Sequence, residues 1–414
     1  MWSQRAGAVD AGEIQVELSS TLIRILMRRI LTVACHALAW FALSSGGNAA
    51  LAQTPAPSQG VQFIFTADAH YGISRSAFRG GRNVASHDVN AALVAEINRL
   101  DGLAIPDDGG VGAGRLVGAI DFVVEGGDIA NRAEKGVQSA AASWREFERD
   151  YIDGLTTRDR SGRKSALFIV PGNHDASNAI GFRVPLSPAR DATAMTAIYN
   201  LMLVPVPLRT IATYNYERDR IHYARDVGRV HLAFLHIWPD SAERAWLERD
   251  LDRVPPGTPV LLFTHDPPIG DPKHFINPNT DHAIDDTGRF ENLLSETLKD
   301  RSPGGTSTEI EQRAFARFVK AHANIRAYFH GHSNFSEMYV WRGPGGDIAL
   351  PVFRADSPMK GKLSVADETK LSFQFVAIDG EAKRMTVREL FWNATPGTPE
   401  SPPEWGAMMT VALR

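Results

Sequence analysis

Five short polar clusters carry the residues of this chain best suited to chemistry. In order they are Asp68-Ala69-His70, Gly127-Asp128, Gly172-Asn173-His174-Asp175, Thr264-His265 and Gly331-His332-Ser333-Asn334. Carboxylates, imidazoles and amide oxygens are the donors that hard and borderline divalent cations take, and two such ions held close together need one shared oxygen. Asp68 and His70 are two apart, so at the end of an extended strand both can reach one ion. Asp128 follows two glycines, which let the backbone turn sharply and approach the ions, and it is the natural bridge. Asn173 offers a neutral oxygen; His265 and His332 offer nitrogen. Singly, each cluster is commonplace, since Gly-Asp is an ordinary turn. Their conjunction on one chain points to a dinuclear hydrolytic site.

The elements that must position them are legible around the clusters. Four of the five follow directly on a β-like apolar run. Runs at 61–66, 119–124, 166–170, 230–235, 260–263 and 325–329 read as strands. Helical spacing marks 90–100, 139–152, 242–251 and 309–322. Alternating segments at 373–378 and 385–390 flank Asp379-Gly380 and read as a hairpin. Segments 176–220 and 266–308 are irregular and rich in Pro, Asn and Asp, as lids or walls of a site often are. Residues 53–60 read as a linker, 61–394 as one domain, and 395–414 as a Pro-rich tail.

The order of motifs resembles the calcineurin-like metallophosphoesterase superfamily over about residues 61–340. The resemblance implies an α/β fold, a four-layer α/β/β/α sandwich with the site at strand ends. It implies that Asp68, His70 and Asp128 hold one ion, and that Asp128, Asn173, His265 and His332 hold the other. The ions would be Mn, Fe or Zn. His174 would be no ligand; it would sit beside the phosphoryl group and aid the leaving oxygen. Asp175 would orient His174 or cap the following segment. Arg132 resembles a phosphate-gripping arginine. Two cations sharing a water lower its pKa toward neutrality, and the hydroxide so formed attacks phosphorus in line. The departure is at the last cluster, where the family usually has Gly-His-x-His. Asn334 takes the final place, a weaker and harder ligand for the first ion.

Composition narrows the function further. The chain has 414 residues and a net charge of −4 with no basic stripe. That argues against a nucleic-acid duplex as partner. Residues 1–26 read as an upstream extension. Met27-Arg28-Arg29, the apolar run from Ile30 to Leu43 and Ala50-Leu51-Ala52 have the layout of a signal peptide over 27–52, which implies a periplasmic or secreted protein with no lasting membrane anchor. The single cysteine, Cys35, lies inside that signal, so disulfides would not staple the mature chain. The expected activity is hydrolysis of a small phosphoester, mono- or diester. A non-catalytic binding protein on the same fold and a nucleotide-cleaving enzyme are the alternatives. Loops carrying His87, His274 and His282, and a basic stretch around Lys360 and Lys362, are candidates for the substrate cleft.

Overall fold

The computed structural model describes residues 60–131, 138–176, 191–216, 218–271, 274, 309–381, 383–398 and 400–414. The signal region, Arg132, His282 and most of segment 266–308 lie outside them. In chain order the strands are β1 (Val61–Thr66), β2 (Ser74–Phe78), β3 (Gly81–Ala85), β4 (Phe122–Glu125), β5 (Ala166–Ile169), β6 (Tyr223–Val227), β7 (Val230–Phe234), β8 (Val260–Phe263), β9 (Ile325–His330), β10 (Glu337–Trp341), β11 (Leu350–Arg354), β12 (Ser372–Asp379), β13 (Arg384–Phe391) and β14 (Glu404–Ala412). The helices are α1 (Ser86–Ile97), α2 (Ala140–Phe147), α3 (Asn173–Ala176), α4 (Thr193–Leu203), α5 (Ser241–Leu251) and α6 (Glu309–Ala321).

Two mixed sheets of six strands form the centre, in the orders β14-β13-β12-β1-β4-β5 and β10-β11-β9-β8-β7-β6. In the first, β1, β4 and β5 are parallel; in the second, β7, β8, β9 and β11 are. A parallel strand covered on both faces needs an unbroken apolar run rather than an alternation, and β7 and β8 are buried at every position. The sheets pack face to face through aromatic side chains. Phe63 of β1 meets Phe263 at 5.8 Å and Phe329 at 5.7 Å, and Phe65 meets Phe329 at 5.4 Å. Each such pair contributes about 0.5–1.5 kcal/mol beyond its area. Tyr328, next to Phe329, points to the opposite face. There it meets Phe315 of α6, which also stacks on Trp341 at 5.3 Å. On the other flank α4 packs against β5, and Tyr71, just beyond β1, meets Phe147 of α2. The layers therefore run helix, sheet, sheet, helix, as expected for an α/β/β/α sandwich.

Some boundaries differ for physical reasons. The helix expected from residue 90 starts at Ser86, whose hydroxyl accepts the Gly72 amide at 2.8 Å and fixes the chain's entry. The helix expected over 139–152 is α-helical only to Phe147 and widens to a π-turn over Glu148–Asp153. Segment 176–220 is not wholly irregular: α4 lies inside it, mostly buried. The tail at 395–414 is not outside the domain. Its residues Glu404–Ala412 pair antiparallel with β13 as the edge strand of the first sheet. Met409 and Val411 share a face opposite Val387 and Met385, and a register shift before them places Trp405 opposite Leu390 on the other face, against Phe375. Trp341 and Trp392 are both buried, in packing rather than at a stacking platform.

One tertiary tie bears on the site. Arg75 of β2 is buried, and its guanidinium donates to the carbonyls of Ala77 (3.1 Å), Pro358 (2.9 Å) and Ser364. This fastens the β2–β3 hairpin to the loop that follows β11. Burial pushes the nearby Asp356 carboxyl up from 3.8 to about 7, against the pull of Ser364, the Ser357 amide and Arg75. A folded value above the unfolded one means that folding takes up a proton. The associated stability is complete below about pH 4 and is lost as pH rises through about 7. Asp356→Asn is expected to flatten the fall of Tm across that window in scanning calorimetry; an unchanged slope would show that another group sets it.

Candidate metal centre

The parallel strands β1, β4, β5, β8 and β9 deliver the five clusters from their carboxyl ends. Asp68 and His70 leave β1, Asp128 leaves β4, Asn173 opens α3 after β5, His265 leaves β8 and His332 leaves β9. The turns are tight. Asp68, His70, Asp128, His332 and Asn334 all take positive φ, between 44° and 68°. That conformation is uncommon for residues with a side chain, and its clustering marks a site where packing holds the backbone in strained geometry. Two glycines make room. Gly127 has φ 96°, and a Cβ there would lie 2.8 Å from His265 Nδ1. A Cβ at Gly331 would overlap the Asp68 carboxylate.

Asp128 is the hub. Its Oδ2 lies 3.3 Å from His265 Nε2, 3.8 Å from His70 Nε2 and 3.9 Å from His174 Nε2. Asp68 Oδ1 is 3.7 Å from His70 Nε2. The Asn173 amide oxygen sits between His265 Nε2 (3.1 Å) and His332 Nδ1 (3.2 Å). Among the described residues three groups able to hold a cation result: His70, Asp128 and His174; Asp128, His265 and His332; and Asp266, His274 and His332. Asp68, His70, Asp128, Asn173, His174, His265, His332 and Asn334 are thus brought to one place. His174 falls close enough to be counted with the first group; its ring is edge-on to His70 at 5.0 Å.

The outer contacts suit imidazole ligands. His265 Nδ1 donates to the Gly126 carbonyl at 2.9 Å, leaving Nε2 facing Asp128 and Asn173. His332 Nε2 donates to Asp271 at 2.9 Å, leaving Nδ1 facing Asn173. Such partners fix ring orientation and raise ligand basicity. His274, a cleft candidate from the sequence, belongs to this surround, together with Asp266 and Asp271, which the sequence did not single out. Asp266 Oδ2 pairs with His274 Nδ1 at 2.6 Å, and the His274 ring lies 4.9 Å from His332. The one sequence signal for Asp266 is its place directly after His265. His87 is exposed beside Asp88 on α1 and takes no part. His231 bridges Asp226 and Asp250, and His236 accepts the Ile221 amide; both serve the fold.

The donor set fits cations, and the electrostatics ask for them. Both ring nitrogens of buried His70 and the Oδ1 of Asn334 have no hydrogen-bond partner among the described residues. Burial pushes the Asp68 carboxyl up to about 8, with Asp128 adding to the rise and His265 opposing it. Burial alone would lower His265, yet Asp128 beside it holds the imidazole well above its usual value. Burial and the charge of Lys360 hold His70 well below, in the neutral form that ligates. Two buried carboxylates this short of positive charge are stabilised by divalent ions, whose binding displaces protons. Asn334 turns its amide N–H to the His332 carbonyl at 2.9 Å and leaves its oxygen buried and unsatisfied. Asn334→Ala is expected to weaken the ion near Asp68 and His70 by about tenfold or more, read by metal titration calorimetry. Unchanged affinity would reduce Asn334 to a turn residue.

Asp175 holds two loops together. Its carboxylate accepts the amides of Gly172 (2.9 Å), Ala130 (3.0 Å) and Ile129 (3.2 Å). It clamps the loop after β4 to the loop after β5, and so sets Asp128 relative to Asn173.

The domain joins two mixed sheets to a buried Asp/His cluster, able to hold metal, at the ends of its parallel strands. The sequence pattern of the calcineurin-like phosphoesterases matches residues 61–334, and the chain belongs to that family. No curated relative matches. Among solved structures, the chain is similar to a Vps29 single mutant from Entamoeba histolytica, with 10% identity and TM-score 0.30 over 84% of this chain and 99% of that one. A conserved uncharacterized protein of Streptococcus pneumoniae, described as a predicted phosphoesterase, has 9% identity and TM-score 0.28 over 84% and 97%. Wild-type Vps29 of Entamoeba histolytica complexed with zinc has 9% identity and TM-score 0.31 over 86% and 100%.

Proposed function

We propose that this protein is a dinuclear-metal hydrolase that cleaves phosphoric esters. The observation that carries the reading is that Asp128 belongs to two cation-holding groups, one with His70 and His174 and one with His265 and His332. Asp68, His70 and Asn334 would complete the first site; Asn173, His265 and His332 would complete the second. When bound, Mn, Fe or Zn ions there supply an acidified water and neutralise charge on the phosphoryl oxygens.

The chain's own residues do the rest. Asp128 fixes the spacing of the two halves. Asp175 and Asp271 hold the loops and the His332 ring in register. His174 stands at the rim of the first group, where it can give a proton to the departing ester oxygen as the phosphorus–oxygen bond breaks. Of the two protons of the attacking water, one stays on the phosphate product and the other passes to solvent, from which His174 is reprotonated. The acidic balance of the chain favours a small phosphoester over a nucleic-acid duplex. Residues 27–52 support export to the periplasm or beyond, and N-terminal sequencing of exported protein is expected to begin at Gln53.

The test is hydrolysis of para-nitrophenyl phosphate and bis-para-nitrophenyl phosphate by the full chain loaded with Mn, Fe or Zn. Turnover that depends on added metal is expected. No turnover with any metal on these and a wider phosphoester panel, with two ions bound, would favour a binding protein instead.

A further inference from the structure

The loop after β11 closes on the site from a part of the chain that carries none of the five clusters. Ser357 Oγ donates to the Asp68 carbonyl at 2.8 Å and accepts the amides of Met359 (3.2 Å) and Lys360 (2.9 Å). The Lys362 amide donates to the Asn334 carbonyl at 2.6 Å. Buried Arg75 holds the carbonyls of Pro358 and Ser364 from behind. The loop is thus tied to two of the candidate ligand residues and to the β2–β3 hairpin. At its crest, Lys360 is half-buried, and its ammonium donates to Asn131 Oδ1. Asn131 lies three residues beyond Asp128, and its amide donates to the Tyr71 carbonyl beside His70.

We propose that Lys360 is a specificity-determining residue that binds the phosphoryl dianion of a phosphomonoester. The proposal rests on the hydrolase reading above and narrows it to a substrate class. The reason is charge. A monoester or free phosphate carries close to two negative charges at neutral pH, whereas a diester carries one and presents a second bulky substituent. A lysine held in place beside the first cation group adds a fixed positive charge suited to the dianion, and a pre-positioned donor loses little freedom on binding. Lys362, on the same loop, packs its ammonium over the Phe335 ring at 5.0 Å and serves as the control for charge alone.

The experiment uses the full chain loaded with Mn. Binding of inorganic phosphate is measured by calorimetry for wild type, Lys360→Gln, Lys360→Arg and Lys362→Gln, with metal content and Tm checked for each. Lys360→Gln is expected to weaken phosphate by about tenfold or more, the scale of a lost charged hydrogen bond. Lys360→Arg should recover part of that, and Lys362→Gln should match wild type. In turnover, Lys360→Gln should raise KM for para-nitrophenyl phosphate and leave bis-para-nitrophenyl phosphate within about twofold, since the diester offers no second charge to bind. Unchanged phosphate affinity in Lys360→Gln, an equal loss in Lys362→Gln, or no phosphate binding by wild type would overturn the proposal. The hydrolase reading fails separately, on absent wild-type turnover, whatever the phosphate titrations give. A Lys360→Gln protein that lost metal would be judged on Lys360→Arg, whose wild-type affinity together with full metal supports a charge role and whose tenfold loss refutes it.

Discussion

Asp128→Asn is expected to lower turnover by about three orders of magnitude, the scale on which removing a preorganised charge acts, and to cost the protein at least one bound ion. The substitution is close to isosteric. Asp128 Oδ1 accepts the His174 amide at 2.8 Å, and an asparagine carbonyl can keep that bond. What is lost is the oxygen that faces three imidazole nitrogens at 3.3, 3.8 and 3.9 Å. An amide N–H turned toward them donates where a ligand must accept, and a neutral oxygen turned there bridges two cations poorly. Burial alone would raise this carboxyl, but His265, His174 and His70 hold it well below its usual value, so it is ionised and available at neutral pH. Retained fold in circular dichroism with lost metal would place the defect at the centre. A variant with two ions and wild-type turnover would remove Asp128 from the mechanism.

His174→Ala separates chemistry from metal binding. The side chain is 8% exposed and stands at the edge of the first group, 3.9 Å from the Asp128 oxygen. A ligand role predicts lost metal; a proton-donor role predicts retained metal and a drop in kcat of about 10²-fold or more. The second outcome is expected, and it has a signature. Para-nitrophenolate leaves readily without a proton, whereas an alkoxide does not. The loss should therefore be larger for an alkyl phosphate than for para-nitrophenyl phosphate. Equal losses on both substrates would indicate that His174 positions the site rather than protonating the leaving oxygen.

The parts that sequence alone made legible share a property: their signal is local. Each cluster is a few residues long and sits directly after an apolar run, so Asp68, His70, Asp128, Asn173, His265 and His332 could be placed at strand ends without knowing the sheet order. Their meeting required only that the strands be parallel. Segments whose environment comes from distant chain were harder. Lys360 reaches the site because its loop is pinned, through Pro358 and Ser357, to Arg75 and Asp68, more than 280 positions away in the chain, and nothing in the spacing reports that. Asp271 acquires its role from the position of His332. Asp175 sits beside His174 in sequence, which suggested a pair, while its carboxylate is taken by three backbone amides of two loops. The strand Glu404–Ala412 was obscured because Pro402 and Pro403 gave the tail its character, and because a register shift after Trp405 breaks the period-two alternation. Arg132 lies outside the described residues, so its expected grip on phosphate rests on the motif alone.

The most direct test of the dinuclear centre is a metal count. The full chain is loaded with Mn, freed of loosely bound ions by gel filtration, and assayed by inductively coupled plasma mass spectrometry beside Asp128→Asn. Sharing of Asp128 between the two groups predicts two ions per chain in the wild type and one or none in the variant. One ion or none in the wild type, or two retained in Asp128→Asn, would contradict it.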